Sequence, residues 1–271
     1  MIVDGFNGLL RTLVASYSQV FIAVSPRLGF VLMSIVIGIA MLWVVGKTSN
    51  QPAIERAKKL MQAHLLEMRL FGDDPGLLLS AQKNLILSNF NYVGHMFRPA
   101  LFLALPMLIL YGHLDAVYGR RPLRVGETAL VTARLALSRE LPVLSASGGA
   151  AVETAAVRVQ AASEVSWRMR AIENGAAELT LKSTGVELQK TALAGARFEY
   201  VSQRRSRSWW ERLLLAPGEN GYESAGVEWL EVQYPATEIG FGPFTTHWVV
   251  WFLLISIVTA YLLKGFFGVV L

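Results

Sequence analysis

Cysteine is absent from the 271 residues, which excludes disulfides, thiolate metal sites and a cysteine nucleophile. Histidine is scarce and scattered (His64, His95, His113, His247), with no HxxxH pair to mark a metal. Charge is short as well: 17% of residues are Asp, Glu, Lys or Arg, against roughly 25% in an average soluble domain. Residues 28–46 and 248–263 carry none. Catalytic signatures are missing too: there is no GxSxG, no P-loop, no GxGxxG before a helix and no HExxH. These absences predict a chain that is not an enzyme and that binds no metal or cofactor. The net charge of +5 and pI near 9.6 come without a long Lys/Arg block, so nucleic acid is not the expected partner.

What the chain has instead is apolar length. Hydrophobic residues make up 53% and the mean hydropathy is +0.42, which together predict an integral membrane protein. Residues 28–46 are uncharged and flanked by Arg27 and Lys47, enough to cross roughly 30 Å of hydrocarbon at 1.5 Å per residue. A signal peptide is the rival reading, but no small-residue cleavage site follows. Residues 99–114 form a second, shorter run containing Pro106, bounded by Arg98 and Asp115, and Pro106 predicts a kink because it has no N–H to donate. Residues 248–263 form a third, with Trp248 and Trp251 at one end and Tyr261 and Lys264 at the other, the belt that a bilayer interface selects.

The loop at 47–98 holds seven Lys/Arg against four Asp/Glu, and the segment between the second and third runs holds fifteen of each. The positive-inside rule puts the short basic loop in the cytoplasm. The N-terminus and residues 116–245 then lie outside, and the tail at 265–271 lies inside. Ser34, Ser256 and Thr259 are the hydroxyls well within the spans, apart from terminal tyrosines. None of the spans holds an intramembrane acid or base of the kind a transporter or proton relay uses.

Between the spans the pattern changes three times. Residues 1–27 place Phe6, Leu9, Leu10, Leu13, Val14, Tyr17, Val20 and Phe21 at helical spacing, which fits an amphipathic helix on the outer leaflet or a helix packed on the spans. Residues 52–93 read as an antiparallel helical hairpin, with Ser49 or Asn50 as cap before Pro52 in the first turn, Gly72 ending the first helix and Asp73-Asp74-Pro75 starting the second. Met61 and Met68 lie on its apolar face, as packing between the helices or as soft contacts for apolar partners.

Over 120–240, short alternating segments (127–137, 154–159, 164–171, 177–182, 196–201 and 227–234) predict an all-β, immunoglobulin-like sandwich with Trp167 in a central strand. Residues 204–215 interrupt it. Arg204, Arg205, Arg207, Trp209, Trp210 and Arg212 read there as an interfacial helix on anionic lipid, or as a loop helix capping the sandwich.

The run KTSNQPAIERAKKLMQAHLLEMRLFGDD (residues 47–74) and the Pro-containing FRPALFLALPMLILYGHL (97–114) resemble the cytoplasmic hairpin and second core span of the YidC-type membrane-protein insertase superfamily. That superfamily includes small archaeal relatives and a subunit of the endoplasmic-reticulum membrane protein complex. The order of span, basic hairpin, short span, outside segment and last span is similar to its three-helix core. The resemblance implies a hydrophilic groove and a hairpin that receives apolar substrate segments. Its hairpin positions would be Arg56, Lys58, Lys59, Met61, Met68 and Arg69, and its groove positions Ser34, Gly38, Pro106, Ser256 and Thr259. It implies a multi-pass protein of the bacterial inner membrane that assists membrane-protein insertion. Its partners would be lipid, other membrane or periplasmic subunits and nascent membrane proteins. Two departures, a first span without the bacterial enzymes' groove Arg and an inserted sandwich at 116–245, point to a specialised relative within a larger assembly. The alternative is a structural subunit docking partners through the β domain.

Overall fold

Two successive helices, α1 (Ile2–Val24) and α2 (Pro26–Thr48), open the chain. Ser25 separates them, where Pro26 cannot continue the preceding helix's hydrogen bonds. The elbow is held by the Tyr17 hydroxyl, which donates to the Gly29 carbonyl at 2.9 Å. The computed structural model describes residues 2–135, 141–183, 186–195, 198–214, 217–222 and 226–269. They divide into two compact units, residues 1–30 with 108–251 and residues 31–107 with 252–271.

α3 (Gln51–Leu70) begins where the Asn50 side chain accepts from the Ala53 N–H at 3.2 Å, an N-cap with Pro52 in the first turn. α4 (Pro75–Leu114) begins at a second cap, where Asp74 accepts from the Gly76 and Leu77 N–H groups at 2.9 and 3.3 Å. The expected hairpin helix and second span prove to be one continuous helix of 40 residues, with Pro99 and Pro106 inside it. A Pro interrupts a single hydrogen bond and, with regular turns on both sides, need not end a helix that neighbouring bonds sustain. The end of α4 widens into a π-helical turn over Asp115–Gly119, with the Arg120 N–H donating to the Asp115 carbonyl.

Among the described residues, two helices, α2 and α4 with its π-turn, are long and apolar enough to cross a membrane. The third expected span is α6 (Trp248–Leu263), uncharged but only 16 residues long. It rises about 24 Å, less than the roughly 30 Å of a hydrocarbon core.

The segment between α4 and α6 is a separate all-β region. β1 (Thr128–Leu135), β3 (Ala150–Val152), β4 (Val157–Val159), β5 (Glu164–Ala171), β8 (Arg204–Ser206) and β9 (Val227–Val232) form one antiparallel sheet. Its order is β3-β5-β1-β9-β8, with β4 also paired to β5. β2 (Val143–Ser147), β6 (Gly175–Ser183) and β7 (Val186–Ala194) form a second sheet in the order β2-β6-β7. Gly148 and Gly149, both at positive φ, allow the tight turn that carries β2 of one sheet into β3 of the other.

The two sheets share one core. Val131, Ala133, Val165, Trp167 and Met169 of the larger sheet meet Leu179, Leu181, Leu188 and Ala192 of the smaller. Burial alternates residue by residue along β5, which is what a strand with one buried face requires. β7 was not expected, and the strand expected over 196–201 is not one: residues 198–201 are irregular, and 196–197 lie outside the described residues. The tail of the expected 127–137 strand also falls partly outside them.

The segments entering and leaving this region are tied together. The Thr237 N–H donates to Gly119 at 2.9 Å, the Arg121 N–H donates to Pro235 at 3.1 Å, and Arg120 and Ala236 form a β-bridge. The β10 (Glu238–Phe241) and β11 (Phe244–His247) hairpin then leads directly into α6.

Candidate functional sites

Along α3 the covered positions are Ile54 and Ala57, followed by the half-buried Met61, His64 and Met68. This is a seam with two residues per heptad. The methionines therefore sit on the covered side. Of the hairpin cations, Arg56 donates to the Pro52 carbonyl at 3.2 Å and Lys59 pairs with Glu55 at 2.8 Å one turn away. Lys58 is half-buried and Arg69 is exposed. The uncovered surface is made of larger groups: Leu65, Leu66, Leu70, Phe71, Leu79 and Phe90 are all exposed. Of the two roles open to Met61 and Met68, their half-covered positions fit packing, and the exposed apolar positions are taken by leucines and phenylalanines.

Ser34, Gly38 and Ser256 come together where α2 and α6 cross. The Ser256 hydroxyl donates to the Ser34 carbonyl at 3.2 Å. A Cβ on Gly38 would lie 3.2 Å from the Ser256 Cα, so the glycine is what lets the two backbones approach. Thr259 donates to its own helix at Ile255, 2.7 Å away. Pro106 is an exposed position of α4 and does not belong to this crossing.

The interfacial set at 204–212 is split. Arg204 and Arg205 lie in β8 rather than in a helix. The Arg204 guanidinium stacks 4.2 Å over the Trp229 ring and pairs with Glu231, contacts a strand can offer and an isolated surface helix cannot. Arg205 bonds the carbonyls of Asn220 and Gln189. Only Trp209–Leu214 is helical, as the short α5, and residue 215 lies outside the described residues. Arg212 is paired with Asp4 of α1 at 3.1 Å. Arg207, Trp209 and Trp210 remain exposed.

α1 meets this segment through its polar side. Asn7 donates to the Arg212 carbonyl at 2.9 Å, Asp4 accepts from the Gly221 N–H at 3.2 Å, and Arg11 donates to the Gly218 carbonyl. The 217–222 segment is anchored from beneath by Lys190 of β7. Its ammonium is fully buried and bonds Glu219 at 2.6 Å and the Ser202 carbonyl at 3.1 Å. Burial pushes the Lys190 pKa down and the Glu219 carboxylate opposes that shift.

Two further arrangements were not legible beforehand. Asp115 accepts from the Trp248 indole at 3.0 Å and lies within 3.7 Å of Arg120. Its carboxylate folds over Gly119, where a Cβ would overlap it and lie 2.7 Å from the Trp248 nitrogen. His113, buried at the end of α4, shares a hydrogen bond with the Tyr200 hydroxyl at 2.9 Å. Asp115 and Trp248 could be recognised in the sequence only as interface markers, because they stand 133 positions apart. No protein-family model, curated protein or solved structure matches this chain.

Proposed function

We propose that the chain is a divergent, multi-pass member of the YidC-type insertase superfamily in a bacterial inner membrane, assisting insertion or assembly of membrane proteins. In this reading α2, the C-terminal part of α4, and α6 cross the bilayer. The hairpin lies in the cytoplasm, and an immunoglobulin-like sandwich lies outside. The observation that carries it is the hairpin's uncovered apolar surface. Leu65, Leu66, Leu70, Phe71 and Leu79 are exposed beside Arg56, Lys59 and Arg69. A hairpin that only had to fold would bury such side chains, and this much exposed apolar surface favours a place for something else to bind. An apolar segment would gain contact there before entering lipid, and a third span as short as α6 favours local thinning of the bilayer.

The second reading is a non-catalytic subunit of a larger membrane complex, docking periplasmic partners through its β domain. One observation favours it: Ser34, Gly38 and Ser256, all groove positions by resemblance, lie at a close helix crossing, with the Ser256 hydroxyl bonded to the Ser34 carbonyl.

A photo-crosslinking amino acid at Leu66, Phe71 or Leu79 separates the two during translation of membrane proteins into vesicles carrying the chain. Crosslinks to nascent apolar segments are expected for the insertase-like reading. Crosslinks to a constant set of mature subunits, with client insertion unchanged on depletion, would replace it with the second.

A further inference from the structure

α1 has its polarity inside out. At 3.6 residues per turn, Asp4, Asn7, Arg11, Val14 and Ser18 share one side of the helix, and Phe6, Leu9, Leu13, Val20 and Val24 fall within about 60° of one another on the other. The first side is the docked one. Asn7, Val14 and Ser18 are buried, and Asp4, Asn7 and Arg11 bond Arg212, Gly218 and Gly221. The second side is uncovered, with its five side chains between 44% and 73% exposed. A helix that had only to pack on the β domain would turn its leucines toward it. Here polar groups hold the domain, and the apolar stripe is left facing away.

We infer that α1 and α5 form a foot by which the β domain rests on a lipid bilayer, with the Phe6–Leu9–Leu13–Val20 stripe buried at the boundary between headgroups and acyl chains. Three observations commit the stripe to lipid rather than to protein. It runs, with only Ser25 intervening, into α2, a helix long and apolar enough to cross a membrane. The strip beside it is uncharged, small or polar, and exposed (Gly8, Thr12, Ser16 and Gln19), so it can face water while the stripe faces acyl chains. α5, fastened to α1 through Arg212, exposes Trp209 and Trp210, residues whose amphipathic rings favour the headgroup level.

The inference rests on the membrane reading of the chain, and one experiment can fail the two separately. Because the native chain has no cysteine, single spin labels can be placed through Leu9→Cys, Leu13→Cys, Thr12→Cys, Gln19→Cys and, on α2, Val36→Cys. All five positions are exposed, so the fold is preserved. The full chain is reconstituted into phosphatidylcholine–phosphatidylglycerol vesicles, and collisions with oxygen and with a water-soluble nickel chelate are compared. Labels at 9, 13 and 36 are expected to favour oxygen several-fold, and labels at 12 and 19 to favour nickel. Nickel access at 9 and 13 with oxygen access at 36 overturns the foot and leaves the span standing. Shielding of 9 and 13 from both reagents overturns it in favour of a second copy or a protein partner. Nickel access at 36 removes the membrane reading and the foot with it.

Discussion

The Trp248 indole donates a 3.0 Å hydrogen bond to the Asp115 carboxylate, joining the residue at which the chain leaves α4 to the residue at which it enters α6. Both are well covered: Trp248 is 1% exposed, and the Asp115 side chain 16%. The Gln203 amide, at 3.4 Å, completes the carboxylate's surroundings.

Trp248→Phe deletes the donor and part of the buried ring system. A hydrogen bond to a charged group contributes about 1.5–3 kcal/mol, and a loss of at least that size is expected in thermal unfolding of the detergent-solubilised chain, because the smaller ring also leaves a cavity. Asp115→Asn, whose amide oxygen still accepts, should lose less than Asp115→Ala. Gly119→Ala should be worse than any of these, because its methyl would occupy the carboxylate's position. Equal stability of Asp115→Asn and Asp115→Ala would show that the indole bond contributes nothing.

Lys190 and Glu219 form an ion pair with a fully buried ammonium. Glu219→Ala leaves that charge uncompensated and is expected to cost about 3–5 kcal/mol. Replacing both charges, Lys190→Met with Glu219→Leu, leaves no unpaired charge in the core and should be close to neutral. Denaturant unfolding should place Glu219→Ala well below this double variant. The reverse order would refute the pairing as described.

Glu127 accepts two 2.8 Å bonds from the Arg121 guanidinium, which hold its carboxyl at about 2, below the usual 4.5 of a Glu. A depressed carboxylate pKa stabilises the fold fully above the unfolded value. The pair's contribution should therefore be intact at neutral pH, decline as pH falls below about 4.5 and vanish below about 2. Glu127→Gln should flatten this part of the stability profile between those limits, and a profile identical to the parent's would refute the assignment.

At the α2–α6 crossing, Gly38→Leu must push the helices apart, since even a Cβ meets the Ser256 backbone at 3.2 Å. A clear drop in melting temperature is expected, with Gly38→Ala intermediate. Ile257→Leu, at an exposed position of α6, should change little. If Gly38→Leu melts with the parent, the crossing is not close-packed.

How much could be read beforehand follows from how each element earns its burial. β5 was legible to the residue, because Val165, Trp167, Met169 and Ala171 alternate with polar neighbours and all face the core. β7 was not, because its inward row is Leu188, Lys190, Ala192 and Ala194. A buried Lys and two small residues break the apolar rhythm that strand recognition depends on. The α3 cap was visible in Asn50 and Pro52, which act locally. The continuity of α4 was hidden by Pro99 and Pro106, whose local signal is to stop a helix and whose surroundings allow it to persist. Among candidate functional residues, Gly38 and Ser256 were recognisable from their small size within apolar runs. The split of residues 204–212 depends on Trp229 and Glu231, distant partners that no local pattern contains.

The β-bridge between Arg120 and Ala236 brings the two ends of a segment of more than a hundred residues to within one rung of each other. A segment whose ends meet so closely is genetically portable. It can be removed at that rung and closed with a short turn, or exchanged for another domain, without asking the flanking helices to change their spacing. The descent of the helical part and that of the β part can therefore have separate histories.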